Sequence, residues 1–228
     1  MAIAPLQERG FIETLRSIRG CIHARRKDRA DGFDRRFGTD TDRRISLEDL
    51  DATGPDVLPL WRYWPTLEAP FRRMMEAANI RHEEFVFVDL GSGKGRALFY
   101  ASDLPFSRIV GVEISPALHR VAEQNISIYG SITQRCFRFE LLNMDAAAYP
   151  LPRENTLLYL FQPFPAHTME AVLRNVIESV RSHAHQVAIA YINPLFDRLI
   201  LETGIFERHA SGPSQQGEFA WSLYLNRI

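Results

Sequence analysis

From residue 66 onward, apolar and polar positions follow two alternating spacings along the chain. Short apolar runs rich in β-branched and aromatic residues predict buried strands. Between them, apolar residues three and four positions apart predict helices. The predicted strands are 85–90, 108–114, 137–142, 156–161, 186–192, 205–210 and 219–228. The predicted helices are 66–80, 94–104, 115–130, 165–184 and 194–204.

This alternation of strands and helices predicts an α/β fold, a doubly wound, Rossmann-like and mostly parallel sheet. The last two strands follow one another with only a polar loop between them, which indicates a closing hairpin. Two helix starts carry capping signals: Thr66 before the first helix, and Ser115 followed by Pro116 before the third. Ligands of open parallel sheets bind beyond the carboxyl ends of the strands, so these ends are the places to search for chemistry.

The first part of the chain has a different composition. The segment "HARRKDRADGFDRRFGTDTDRR" is rich in arginine and aspartate and has few apolar anchors. Upstream of it, apolar residues between positions 6 and 22 show loose helical spacing. We predict an N-terminal helical or irregular extension over 1–65 and one folded domain over 66–228. The extension is either a solvated segment or a cap or substrate-docking arm.

Composition narrows the class of protein. The formal net charge of the 228 residues is -1, which makes nucleic acid an unlikely partner. The two cysteines, Cys21 and Cys136, form no metal-binding or disulfide pattern, so no metal site is predicted and a reducing compartment fits best. No apolar run reaches the roughly 20 residues that span a bilayer. These features predict a cytoplasmic protein without a membrane partner.

The strongest chemical signal is "VDLGSGKGR", where the first predicted strand meets a helix. Gly91, Gly93 and Gly95 stand at alternate positions, the first of them two residues after Asp89. Glycine tolerates positive φ and lets the backbone approach a ligand, and a helix that starts there offers free N–H groups. A tight turn that needs glycine only for packing explains one glycine better than three.

The two common phosphate-binding patterns do not fit this turn. The dinucleotide fingerprint G-x-G-x-x-G requires a third glycine where Arg96 stands. The pattern G-x-x-x-x-G-K-[ST] fails because Gly95 follows Lys94. A carboxylate at Asp89 repels a pyrophosphate but accepts hydrogen bonds from an ammonium group. The turn therefore favours a ligand with a cationic amino-acid end.

Two acids lie at or just after the ends of the next two strands. Glu113 lies 113 − 91 = 22 residues after Gly91, close to the spacing of about 20 at which an acid binds a ribose in nucleotide-binding βαβ units. Asp145 is placed to accept from an exocyclic amine such as that of adenine. The alternatives are an acid at a helix start for Glu113, and a turn or helix cap for Asp145 or Asn143.

Together, "VDLGSGKGR", "VGVEIS" and "NMDA" resemble the class I S-adenosylmethionine (SAM) dependent methyltransferases. The upstream "YWPT", residues 63–66, is similar to a motif of non-SET lysine methyltransferases and their bacterial relatives. The resemblance covers about 66–228 and implies a seven-stranded sheet with an antiparallel last strand. It implies SAM contacts from Thr66, Asp89, Gly91, Ser92, Gly93, Gly95, Glu113, Ile114, Asp145 and Phe161. In that assignment Asp89 and the glycines hold the methionine part, Glu113 the ribose, Ile114 the adenine ring and Asp145 its amino group.

The fourth strand ends in "FQPF", where amino-directed methyltransferases often carry Asn or Asp, Pro, Pro and an aromatic residue. By this resemblance Gln162 accepts a hydrogen bond from the target nitrogen and Phe164 lines its approach. The alternative is a proline-terminated strand with aromatic core residues. The expected reaction is methyl transfer to nitrogen, on a protein lysine or a small-molecule amine. An NAD(P)-dependent oxidoreductase and a non-catalytic SAM-binding module remain alternatives, and neither the acceptor nor the oligomeric state follows from the sequence.

Overall fold

A computed structural model describes residues 32–43, 63–161, 164–213 and 219–227. The α-helices are α1 (Phe33–Phe37), α2 (Glu68–Ala78), α3 (Arg96–Ser102), α4 (Pro116–Ile128), α5 (Ala166–Ser182) and α6 (Asp197–Glu202). The strands are β1 (Val86–Leu90), β2 (Arg108–Glu113), β3 (Phe139–Asn143), β4 (Thr156–Phe161), β5 (Val187–Ile192), β6 (Phe206–Gly212) and β7 (Trp221–Asn226). Short 3₁₀ helices span His82–Glu84 and Ala146–Ala148.

The strands form one seven-stranded sheet in the order β3-β2-β1-β4-β5-β7-β6. The five strands β1 to β5 are mutually parallel, whereas β7 pairs antiparallel to β5 and to β6. This arrangement confirms the predicted doubly wound sheet, its closing hairpin and its antiparallel last strand. The strand order reverses between β1 and β4, which is where open α/β sheets bind ligands.

Helices cover both faces of the sheet and bury two apolar clusters. One face packs against α2, α3 and α4 and includes Phe71, Phe87 and Tyr159. The other face packs against α5, α6 and the second 3₁₀ helix and includes Leu158, Val172 and Ile200. Because both faces are buried, the central strands are apolar at successive positions, as the runs in the sequence predicted. We call the first cluster, together with its side of the sheet, the α2 face, and the second the α5 face.

Helix starts agree with the sequence in one case and differ in another. Ser115 caps α4 as predicted, because its side chain accepts a hydrogen bond from the Leu118 N–H, and Pro116 is the first helical residue. The prediction that Thr66 caps the first helix is wrong, since α2 begins at Glu68 with Leu67 as its N-cap. Thr66 is instead buried, and its hydroxyl lies 3.0 Å from the hydroxyl of Tyr159.

Part of the predicted extension packs on the domain. Within 32–43, Phe33 is buried and Thr41 is fully buried, so the interpretation as a solvated segment does not hold for these residues. The predicted helix over 6–22 lies outside the described residues, and the boundary at 65 stays a prediction. Among the described helices, none has both the length and the apolar character that crossing a membrane requires.

We predict that Leu158→Ala lowers the free energy of unfolding by about 2–5 kcal/mol, because Leu158 is fully buried in the central strand β4. Leu201→Ala is the matched control: this leucine is 37% exposed on α6, and its truncation should change stability by no more than about 0.5 kcal/mol. Urea denaturation of both variants measures the difference. Equal losses would mean that the two faces of the sheet are not packed as described.

Candidate active site

The glycine turn between β1 and α3 requires its three glycines for backbone reasons. Gly91, Gly93 and Gly95 have φ values of 85°, 54° and 89°, all in the region that residues with a side chain rarely adopt. Gly95 is also the N-cap residue of α3. The alternate spacing of the glycines thus reflects a left-handed backbone at every second position of the turn.

Glu113, at the end of β2, fastens this turn to the sheet. One carboxylate oxygen accepts from the Gly93 N–H at 2.8 Å, and the other accepts from the Ser115 N–H at 2.8 Å. The side chain is only 6% exposed. Burial raises the pKa of Glu113, and the backbone hydrogen bonds offset part of that rise. Each oxygen retains a lone pair, so the carboxylate can accept further hydrogen bonds.

Asp89 is a second buried acid, close enough to Glu113 for its charge to be felt. It is 4% exposed and accepts no hydrogen bond from any residue that the structure describes. Burial, and then the charge of Glu113, raise the pKa of Asp89 well above its ordinary value. Buried carboxylates are costly unless they are paired. The geometry therefore suits a ligand that brings a positive group to Asp89.

The residues around Asp89 lie on the α2 face. In the strand register Asp89 is opposite Gly111 of β2 and Tyr159 of β4. A Cβ at Gly111 would lie 3.0 Å from the Ser92 Oγ, so glycine at 111 leaves room for that side chain. The Ser92 hydroxyl is buried and has no hydrogen-bond partner within the described ranges. The Thr66–Tyr159 hydroxyl pair completes a polar group beneath the turn.

Ile114 and Asp145 lie beyond the ends of β2 and β3. Ile114 is 63% exposed, an unusual position for a large apolar side chain directly after a buried strand. Asp145 is exposed and caps the second 3₁₀ helix, since its Oδ1 accepts from the Ala147 N–H at 2.8 Å. Asn143 donates to the carbonyl oxygens of Glu113 (2.8 Å) and Ile114 (3.1 Å), which holds the two strand ends together.

The residues predicted at the end of β4 separate in the structure. Phe161 packs on the α2 face and makes an edge contact with Phe219, with ring centroids 5.1 Å apart. Phe164 is buried on the α5 face, so the structure does not bring it to the group around Asp89. Gln162 lies outside the described residues. The roles of all of these residues stay predictions.

Tyr63 is a site residue that motif reasoning did not single out. A Cβ built on Gly93 would lie 2.4 Å from the Tyr63 ring, so the ring rests directly on the turn. The Tyr63 hydroxyl donates to the Thr41 carbonyl at 2.6 Å. The only signal in the sequence was the "YWPT" segment, whose first residue contacts the turn from 93 − 63 = 30 positions away.

The chain is similar to known proteins in part of its sequence and in its fold. No known family model matches the sequence. A protein-lysine N-methyltransferase of Saccharolobus islandicus (strain REY15A) is 41% identical over 69 residues, which are 30% of this chain and 42% of that protein. The match therefore spans less than half the length of this curated relative.

Two solved structures are similar at the level of the fold. A ribosomal protein L11 methylase from Lactobacillus delbrueckii subsp. bulgaricus superposes with a TM-score of 0.51 and 12% identity, over 70% of this chain and 77% of that chain. A SAM-dependent methyltransferase from Leishmania major gives 0.51 and 11%, over 69% and 70%. The chain thus has the fold of the class I SAM-dependent methyltransferases, as the glycine turn and the hairpin led us to expect.

We predict that Asp89→Asn makes the free protein more stable at neutral pH. Folding raises the pKa of Asp89, so the folded state favours the protonated side chain. The stability of the wild type is therefore highest below the ordinary pKa of 3.8 and falls as pH rises through the raised pKa. Asparagine does not titrate. The stability advantage of the variant should therefore grow as pH rises from 4 towards 8, measured by urea denaturation across that range.

Asp103→Asn is the control for this prediction. Asp103 accepts hydrogen bonds from Thr133 (2.7 Å) and Arg72 (3.2 Å), so its replacement removes good contacts and should not stabilise the protein. An Asp89→Asn protein that is less stable than wild type at every pH would contradict the description of Asp89 as a buried acid whose ionised form has no hydrogen-bond donor among the described residues.

Proposed function

We propose that this protein is a SAM-dependent methyltransferase that acts on a nitrogen acceptor, with protein lysine as the first candidate. The observation that carries the proposal is the buried carboxylate of Asp89, which accepts no hydrogen bond from the described residues and lies next to Glu113 and three glycines with positive φ. A matching ligand has an ammonium group for Asp89, a part that approaches the backbone of the glycines closely, and a ribose for Glu113. SAM has this combination.

The residues of the site have distinct tasks in this proposal. Asp89 accepts hydrogen bonds from the ammonium of the methionine part, and the glycine turn lets that part approach the backbone. Glu113 uses its remaining lone pairs for the ribose hydroxyls. The exposed Ile114 side chain covers the adenine ring, and Asp145 accepts from its amino group with the oxygen that does not cap the 3₁₀ helix. Thr66 and Phe161 complete the wall at the end of β4.

SAM, when bound, supplies a methyl group on a positively charged sulfur, which is already a good leaving group. In the transfer the sulfur–carbon bond breaks as the nitrogen–carbon bond forms, and the acceptor nitrogen then gives up a proton to water. The protein's contribution is orientation and proximity, which together can lower the barrier by at most about 7–11 kcal/mol. A strong general base is not required, and none is assigned here.

The acceptor amine must be neutral to attack. The α2 face provides an apolar environment for this amine, since Trp64 and Phe161 both pack against that cluster. Desolvation in such surroundings lowers the pKa of an amine and favours its neutral form. Protein lysine is the first candidate because the 69-residue match is to a protein-lysine N-methyltransferase.

An oxidoreductase that uses NAD(P) is less well supported. Asp89 repels a pyrophosphate, and position 96, where the dinucleotide fingerprint has glycine, holds an arginine that is only 2% exposed. A non-catalytic SAM-binding module would share every cofactor contact named above. The two experiments below separate these alternatives.

The first experiment measures cofactor binding by calorimetry. We expect SAM and its demethylated product to bind, and NAD not to bind. Affinity for SAM should rise, with release of protons on binding, as pH increases from the ordinary value of 3.8 towards the raised pKa of Asp89, because the ammonium selects the ionised form of this residue. Asp89→Asn should bind SAM about 10- to 100-fold more weakly, the value of one charge-assisted hydrogen bond. Binding of NAD but not SAM would overturn the cofactor assignment.

The second experiment identifies the acceptor. SAM with a labelled methyl group is added to a cell extract with the protein, and the extract is separated into protein, nucleic acid and small molecules. We expect label in protein and, after hydrolysis, in methylated lysine. The Asp89→Asn protein is the matched control and should transfer little label. Label only in small amines would redirect the proposal to the other nitrogen acceptor, and label only in nucleic acid would refute the protein acceptor.

A further inference from the structure

Two basic residues alternate with the glycines of the turn, and the cofactor contacts proposed above make no use of them. Lys94 and Arg96 are only 1% and 2% exposed. Lysine and arginine are almost never buried to this degree unless they are paired. Their partners therefore show what else the turn supports.

Both partners belong to 33–43, which we call the strap. The Arg96 guanidinium lies 4.1 Å above the Phe33 ring, donates from Nε to the Thr41 hydroxyl and lies 3.5 Å from Asp34 Oδ1. The Lys94 Nζ donates to Asp40 Oδ1 at 3.0 Å and to the Arg43 carbonyl at 2.8 Å. The two cations thus fasten the strap to the turn at both of its ends.

Asp34 organises the strap from within. Its Oδ1 accepts from the hydroxyls of Thr39 (2.8 Å) and Thr41 (2.5 Å), and its Oδ2 accepts from the N–H groups of Thr41 (2.9 Å) and Asp42 (2.7 Å). Burial favours the protonated acid, but these hydrogen bonds and the charge of Arg96 outweigh it and lower the pKa of Asp34. The carboxylate therefore stays ionised at neutral pH and keeps these hydrogen bonds.

The strap reaches the turn a second time through Tyr63. Thr41, which Asp34 and Arg96 hold, accepts the Tyr63 hydroxyl on its carbonyl oxygen at 2.6 Å. The Tyr63 ring then rests on Gly93. A further tie runs through Asn125 of α4, whose amide donates to the carbonyls of Asp40 (3.1 Å) and Lys94 (3.0 Å). A continuous chain of contacts joins Asp34 to the backbone at Gly93.

We propose that the strap holds Tyr63 on the glycine turn, and that Asp34 and Arg96 are positioning residues for SAM binding. This inference rests on the proposed function, because the turn is the cofactor contact that the strap orders. Neither side chain is among the cofactor contacts proposed above. Their effect passes through Thr41 and Tyr63 to Gly93, the residue that Glu113 also holds.

Binding and strap order are coupled in both directions. If the ordered strap increases the affinity for SAM, then bound SAM must stabilise the ordered strap by the same factor. The expected signature is that SAM slows hydrogen exchange in the strap, at residues that the cofactor does not contact. Substitution of a residue with only a structural role would change exchange in the free protein but would leave the effect of SAM on exchange unchanged.

The test combines calorimetry with hydrogen exchange followed by mass spectrometry, on the full chain with and without SAM. In wild type, we expect SAM to slow exchange in peptides covering 33–43. Asp34→Asn should exchange faster there, should lose most of the SAM response and should bind SAM about tenfold more weakly, within the range of about 5- to 150-fold typical of coupled sites. Tyr63→Phe keeps the ring but removes the tie to Thr41, and should show the same loss in smaller measure.

Arg35→Gln is the matched control, because Arg35 is an exposed residue beside Asp34 in the same strap. It should leave both SAM affinity and exchange unchanged. Unaltered SAM affinity in an Asp34→Asn protein whose strap exchanges rapidly would overturn the inference while leaving the proposed function intact. A wild-type protein that binds no SAM would instead overturn the proposed function, and the strap inference with it.

Discussion

The two hydrogen bonds accepted by the buried Glu113 carboxylate hold the site together. They join the middle of the glycine turn, at Gly93, to the start of α4, at Ser115, across the end of β2. The turn can be held in this shape because its glycines tolerate positive φ at alternate positions. Burial, and then the charge of Glu113, raise the pKa of the neighbouring Asp89, which accepts no hydrogen bond from the described residues. Burial therefore disfavours the ionised form of Asp89 in the free protein, and a cationic ligand would favour that form.

The turn is used from two sides. Its glycines and the acids around them form the surface assigned to SAM, whereas Lys94 and Arg96 are directed into the strap and are buried by it. Their pairing explains why a chain segment with so many charges packs closely on the domain. The arginines and aspartates of 33–43 include the partners that two buried cations need, and the aromatic Phe33 covers one of them. A single loop thereby links the proposed cofactor site to the strap.

Much of the architecture could be predicted from local patterns, because buried strands and amphipathic helices have different periods. The run at Thr156–Phe161 and the cap at Ser115 were both predicted at the residues where they occur. The cap at Thr66 failed because a tertiary contact, the hydroxyl of Tyr159, takes its side chain away from the helix. Phe161 and Phe164 look alike in sequence, yet they pack on opposite faces of the sheet. Side chains of a strand alternate between its two faces, and the motif resemblance, which assigned both rings to one site, took no account of that period.

The sequence by itself determined the fold class, the position of the turn and the acids that follow the strands, since each depends on the spacing of neighbouring residues. Only the tertiary structure decided which of these residues meet. It brought Asp89 beside Glu113 from different strands and left Asp89 without a partner within the described ranges. It also placed Tyr63 on Gly93 and paired Arg96 with Asp34, 62 positions away. Contacts between residues so far apart in sequence form only when the chain folds. The pairing of the charges in the strap with Lys94 and Arg96 therefore cannot be predicted from the sequence of the strap alone.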